Sequence, residues 1–149
     1  MLDKSIPYKH VIMRLNNNNY TGEPSLPEGF SFRFFRKGDE HHWARLETSD
    51  HDYQGLGLGK AIVVKVLNLF TEFEPEERIW LHTQTWSSVA IRLYHCLGFN
   101  MLKSESTAVE IGGDTPGPVI SKNDYEEALD VLKDVFDDKF LAKLIETSE

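Results

Sequence analysis

Gln54 to Lys60 reads Q-G-L-G-L-G-K and runs directly into a long stretch of apolar periodicity. This junction constrains the chain more than any other segment. Glycines at alternate positions let the backbone turn sharply and leave its N–H groups uncovered by side chains. Leu58, Ile62, Val66, Leu69, Phe70 and Phe73 fall on one helical face, widened by Val63 and Leu67, so the spacing predicts a helix that ends before Pro75. A helix N-terminus offers orphan amide donors and the positive end of a dipole, which suits a pyrophosphate, and Lys60 adds charge. The same residues also suit a glycine-rich turn with no ligand. Two nucleotide-binding patterns are disfavoured. Ala61 follows Lys60 where a P-loop needs Ser or Thr, and G-x-G-x-G stands where a dinucleotide fingerprint needs G-x-G-x-x-G.

Around this junction the chain reads as mixed α and β. Residues 1–29 read as an extension in which Tyr8 to Leu15 can form a strand, followed by a loop rich in Asn, Pro and Gly. Phe30 to Arg36 (FSFRFFR) is aromatic-rich and partly alternating, which predicts a strand ending at Gly38-Asp39. Asp39 can cap a short helix through Glu47 with Trp43, Ala44 and Leu46 as its apolar members. Ile79 to Thr83 predicts a short strand. Ser87 or Ser88 caps a second helix to Leu97, with Ala90, Leu93, Tyr94 and Leu97 on one stripe. Gly98 is placed to end that helix in a left-handed turn. Phe99 to Val109 reads as a strand or hairpin arm, and residues 110–149 as a loop and a helical tail. In the tail, Asn123 and Glu126 have capping-box spacing, and Ala128, Leu129, Leu132, Val135 and Phe136 form a stripe. A further short helix holds Phe140, Leu141, Leu144 and Ile145.

The bulk properties narrow the function classes. The 149 residues suffice for one domain, and 40% hydrophobic with 27% charged residues fits a soluble globular protein. No apolar run approaches the ~18 residues of a membrane span. The N-terminus lacks a signal-peptide pattern, and the single cysteine, Cys96, suits a reducing cytoplasm. A net charge of −8 argues against a nucleic-acid partner. The adjacent His41 and His42 lack the further ligands a zinc site needs, so no metal is expected. Cys96 reads as a buried small hydrophobe.

Two motifs together resemble the GNAT superfamily of acyl-CoA N-acyltransferases. Gln54-x-x-Gly57-x-Gly59 is similar to that family's phosphate loop, and Ala90-Ile91-Arg92-Leu93-Tyr94-His95-Cys96-Leu97-Gly98-Phe99 to its A-I-x-L-Y-x-x-x-G-F signature. The resemblance spans roughly Asp52 to Val109. It implies a GNAT-like mixed sheet flanked by helices, with residues 30–109 as the acyl-CoA-binding domain. It implies an N-acetyltransferase that uses acetyl-CoA and a small-molecule or peptide primary amine, with direct attack of the neutral amine on the thioester. The implied cofactor contacts are Gln54, Gly55, Leu56, Gly57, Leu58, Gly59 and Lys60, and the strand Ile79 to Thr83 forms one side of a gap for pantetheine. Tyr94 is implied as the acid that protonates the departing thiolate, and a core role is its alternative. Ser87 stands where the family often has an Asn that touches the cofactor, and it serves either there or as a helix cap. His82 and Gln84 are candidates for lining the acceptor pocket.

The chain departs from the family pattern before the phosphate loop. A first strand, two helices and three further strands would need on the order of 45 residues. Between Phe30 and Gln54 only one short helix fits, so the domain reads as internally shortened near residues 48–52. The missing wall of the pantetheine gap is then absent, omitted at that seam, or supplied by Tyr8 to Leu15 or by a second chain in a homodimer. Two alternatives therefore accompany the enzyme. One is a degenerate GNAT module that binds CoA without turnover, and the other is a non-enzymatic α/β interaction domain.

Overall fold

A computed structural model describes residues 2–16, 22–41, 55–104, 106–110 and 118–149. The chain divides into two compact units, residues 1–18 with 74–149, and residues 19–73.

The first unit is built on a three-stranded antiparallel sheet. Its strands are β1 (His10–Leu15), β2 (Ile79–Gln84) and β3 (Asn100–Met101), in the order β2-β1-β3. The segment read as part of an N-terminal extension is therefore the central strand. Val11, Ile12 and Met13 are all fully buried, so both faces of β1 are covered. A strand buried on both faces loses the clean alternation that marks a half-exposed one, which is why its sequence signal is partial. β1 and β2 pair over their whole length, from His10 opposite Gln84 to Leu15 opposite Ile79. Within Tyr8 to Leu15, the residues His10–Leu15 thus do supply a strand beside Ile79 to Thr83.

The other edge of β1 is completed by β3, Leu102, Asn123 and Asp124. Met13 and Arg14 face β3. The Leu102 amide donates to the Ile12 carbonyl at 3.0 Å, and the Ile12 amide donates to Asn123 Oδ1 at 3.1 Å. The His10 amide donates to Asp124 Oδ2 at 3.0 Å, and the Asp124 amide returns a bond to the His10 carbonyl at 3.0 Å. Asn123 Nδ2 also donates to the carbonyls of Leu102 and Ser104, at 2.7 and 2.6 Å. The capping box expected at Asn123 and Glu126 therefore does not form. Asp124 is the residue before the helix, and its side chain makes no cap bond. A buried strand amide left unpaired costs more than an uncapped, solvated helix end, so both side chains serve the sheet.

The remaining described elements of this unit are a 3-10 turn (Thr85–Ser87), the helix α2 (Ser88–Cys96), a hairpin of β4 (Ser106–Glu110) and β5 (Pro118–Lys122), and the helices α3 (Tyr125–Leu132) and α4 (Asp138–Glu146). The tail stripe is buried at Ala128, Leu129, Leu132 and Phe136, as its spacing predicts. Within this unit α3 packs on β1, α2 on β2 and α4 on β3. The tail thus belongs to the core and is no appendage. Asp137 caps α4 by accepting the Phe140 amide at 2.9 Å.

The second unit contains α1 (Leu58–Phe73) and an irregular aromatic segment. Phe30 to Arg36 is not a strand, and Phe34 is 81% exposed. A strand requires a hydrogen-bonded neighbour, and none of the described strands pairs with it. The segment is held instead by Asp39, which accepts from the Arg36 amide at 2.8 Å and from both ends of the Arg33 guanidinium. In α1 the buried residues are Ala61, Val64 and Leu67, while Ile62, Val66, Phe70 and Phe73 of the predicted apolar face are exposed. Of the short helix expected from Asp39 to Glu47, only its first residues are described. The rest, with the seam near residues 48–52, lies outside the described residues.

Candidate functional site

The turn before α1 has the geometry that its glycines predict. Gly55 and Gly57 adopt left-handed φ of 88° and 74°, a region that a side chain disfavours. The Gly57 carbonyl accepts the Ala61 amide at 3.0 Å, which makes Gly57 the residue that opens the helix. The amides of Leu58, Gly59 and Lys60 then fall in the first turn, where an α-helix supplies no acceptor. No acidic side chain occupies that turn. A Cβ placed on Gly55, Gly57 or Gly59 would meet nothing within 4 Å. The result is an open, uncrowded cluster of donors at the positive end of a helix dipole, suited to an anion. Gln54 lies outside the described residues.

In the other unit, the carboxyl end of α2 fixes Tyr94. Leu97 is the last half-helical residue, and Gly98 follows with φ of 96°. The Gly98 amide donates to the His95 carbonyl at 3.0 Å and the Phe99 amide to the Tyr94 carbonyl at 3.1 Å. These two bonds define a Schellman turn, in which the residue after the glycine packs on the residue five earlier. Here that contact is Phe99 on Tyr94, with ring centroids 5.9 Å apart. Phe99 is buried, and a Cβ on Gly98 would come within 3.2 Å of Leu15 Cδ1. The spacing of Tyr, Gly and Phe in the sequence is thus the spacing this turn needs. Tyr94 itself is half-buried, and its hydroxyl has no hydrogen-bond partner among the described residues.

The buried line of α2 is rotated from the expected stripe. Ile91 and His95 are buried, whereas Ala90, Leu93 and Tyr94 are half-buried. The cause is α4. His95 meets the Phe140 ring edge-on at 5.3 Å and shares a hydrogen bond with Thr147 Oγ1 at 3.0 Å. Arg92 stacks over Phe140 at 4.3 Å and pairs with Asp137 at 3.0 Å. Burial, assisted by the positive Lys143, pushes the His95 pKa down. This rotation turns Cys96 outward, so the expectation of a buried thiol is corrected to an exposed one.

At the start of α2 the chain is tied to the residues before β1. Thr85, fully buried, donates to the Pro7 carbonyl at 2.6 Å, and Trp86 Nε1 donates to the Ile6 carbonyl at 2.8 Å. Neither residue stands out in the sequence, because single side-chain bonds to a distant backbone leave no periodic trace. Ser87 occupies the N-cap position, but its hydroxyl makes no cap bond and instead accepts from Gln84 Nε2 at 3.2 Å. Ser87, Gln84 and Tyr94 thus share one strand–helix unit, with His82 exposed on β2. Gly55 to Lys60 belong to the other unit. Because β1 and β2 are fully laddered, no gap can open between them. Among the described residues, the opposite edge of β2 carries no strand. No cluster of three or more metal-ligating side chains is present among the described residues. No helix among them is long and apolar enough to cross a membrane.

These features define a mixed α+β protein with a glycine turn of free amide donors opening one helix and a tyrosine locked at the end of another. The acetyltransferase (GNAT) family profile matches residues 21–99, more than half of the chain, and the protein belongs to that family. Its described elements form a partial GNAT fold. No curated protein and no solved structure matches the chain.

Proposed function

We propose that this chain is an N-acetyltransferase that transfers an acetyl group from acetyl-CoA to a primary amine of a small molecule or peptide. The observation that carries this reading is the open first turn of α1, where Leu58, Gly59 and Lys60 have no helical acceptor, no acidic side chain sits, and a Cβ on Gly55, Gly57 or Gly59 would meet nothing within 4 Å among the described residues. The backbone from Gly55 to Lys60 holds the pyrophosphate, with Gln54 and Ser87 as further contacts. The unpaired edge of β2 offers backbone groups to the amides of pantetheine, as it would to a strand. Bound acetyl-CoA supplies an activated thioester. The neutral amine attacks its carbonyl carbon, the C–N bond forms, the C–S bond breaks, Tyr94 donates its proton to the leaving sulfur, and the proton lost by the attached nitrogen passes to solvent, from which Tyr94 is reprotonated. A phenol O–H held beside a leaving thiolate can make that donation as a general acid. The compartment in this reading is a reducing cytoplasm, supported by the single cysteine.

A second reading is a module that binds CoA without turnover. It is favoured by β2 having one described neighbour, so that one wall of the thioester pocket is not among the described strands. Calorimetry with CoA, followed by thioester-consumption assays over a panel of amines, separates the two. Binding with turnover supports the enzyme, binding without turnover supports the module, and absence of CoA binding defeats both.

A further inference from the structure

The unit of residues 19–73 contains a cleft of about 1000 Å³ whose described lining shares only Leu58 with the acetyltransferase reading. One wall is the exposed ridge of α1, with Leu58, Ile62, Val66 and Leu69 along it. The other is the aromatic segment from Phe30 to Phe35. The volume lies at the upper end of the ~300–1,000 Å³ found for small-molecule sites. Such a ridge spans roughly 16 Å at 1.5 Å per residue, a shape that favours a linear ligand.

The charges in the cleft select the sign of that ligand. Among the described residues no carboxylate lines it, and the cations that do are Arg33 and Lys65. Arg33 is neutralised by Asp39 through two bonds of 2.5 and 2.7 Å. Lys65 is half-buried and has no carboxylate partner among the described residues. An apolar channel with one uncompensated ammonium complements an apolar chain bearing one anionic head. We propose that this cleft binds the carboxylate of a linear-chain fatty acid, with Lys65 against the head group and the α1 ridge against the chain. The proposal does not depend on the acetyltransferase reading.

The test is calorimetric titration of the full chain with dodecanoate and, separately, with dodecyltrimethylammonium, which has the same tail and the opposite charge. The expected result is saturable 1:1 binding of dodecanoate, at least tenfold tighter than that of the cation. Lys65→Gln is expected to weaken dodecanoate at least tenfold and to leave the cation unaffected. Ile62 is 54% exposed, so Ile62→Asp should fold, which circular dichroism checks, and it should abolish binding. If Ile62→Asp does not fold, Val66→Gln, at a site 41% exposed, provides the same reading. Equal affinity for the two amphiphiles overturns the proposal, as does dodecanoate binding that survives the ridge substitution. Light scattering covers the competing occupant: a dimer that Ile62→Asp converts to monomer assigns the cleft to a second copy and overturns the fatty-acid site.

Discussion

The Phe99 amide donates to the carbonyl of Tyr94 at 3.1 Å while the two rings pack 5.9 Å apart, so the backbone turn and the side-chain contact fix the tyrosine together. Gly98 stands between them at φ of 96°. Replacing it with Ala forces a side chain into left-handed backbone and brings a Cβ within 3.2 Å of Leu15. Gly98→Ala should destabilise by about 1–3 kcal/mol, measured by urea unfolding. A loss under about 0.5 kcal/mol would show that this turn does not depend on glycine.

Tyr94→Phe removes only the hydroxyl and leaves the ring on Phe99. The fold should therefore be unchanged, while kcat falls by roughly a hundredfold or more and KM changes less. An unchanged kcat would remove Tyr94 from the proton transfer.

Asn123 joins β1 to the chain after β3 with three hydrogen bonds and is 5% exposed. Asn123→Ala leaves the Ile12 amide and two carbonyls without their partner. A loss of about 2–4 kcal/mol is expected in chemical denaturation. Asn123→Asp keeps the acceptor but sets a buried carboxylate oxygen against the Leu102 and Ser104 carbonyls, so at neutral pH it should destabilise at least as much as Ala.

Glu149 is held by Asn100, Asn16 and Arg14, in that order of effect, and its carboxyl pKa drops from an ordinary 4.5 to about 2. A depressed carboxylate contributes stability above its unfolded pKa. That contribution shrinks as pH falls below about 4.5 and is gone near about 2. The side chain remains 28% exposed, so solvent screening limits the effect to on the order of 1 kcal/mol. Glu149→Gln should flatten this part of the stability–pH curve, and an identical acid limb in the variant would refute the assignment.

His95 acts in a higher pH window. Its pKa is lowered by burial and by Lys143, so the unfolded chain takes up the proton first as pH falls. Its neutral form favours the fold above the ordinary value of 6.5. Stability is then lost below that value until the folded form also protonates. NMR titration of the ring should give a midpoint below 6.5, and a raised midpoint would reverse the sign.

Much of the site was legible because it rests on local chemistry. The glycines before α1, the long helix, the strand from Ile79 and the left-handed Gly98 each follow from backbone preference over a few residues. Other features depended on distant neighbours. FSFRFFR carries strand propensity but has no described strand beside it. The alternation of β1 is blurred because Val11, Ile12 and Met13 are buried on both faces. Asn123 has cap spacing, but it was drawn to the unpaired amide of Ile12 across more than a hundred residues. Cys96 faces outward because α4 covers His95 instead.

The sequence by itself determined where the glycine turn opens α1 and why Tyr94, Gly98 and Phe99 stand at their spacing, since both are single turns of backbone with their own hydrogen-bond requirements. Only the tertiary structure decided that β1 is the central strand, that the tail joins the core, and that one edge of β2 stays unpaired among the described residues. Those outcomes depend on which buried amide or apolar face finds a partner elsewhere in the chain, and local periodicity carries no record of that partner.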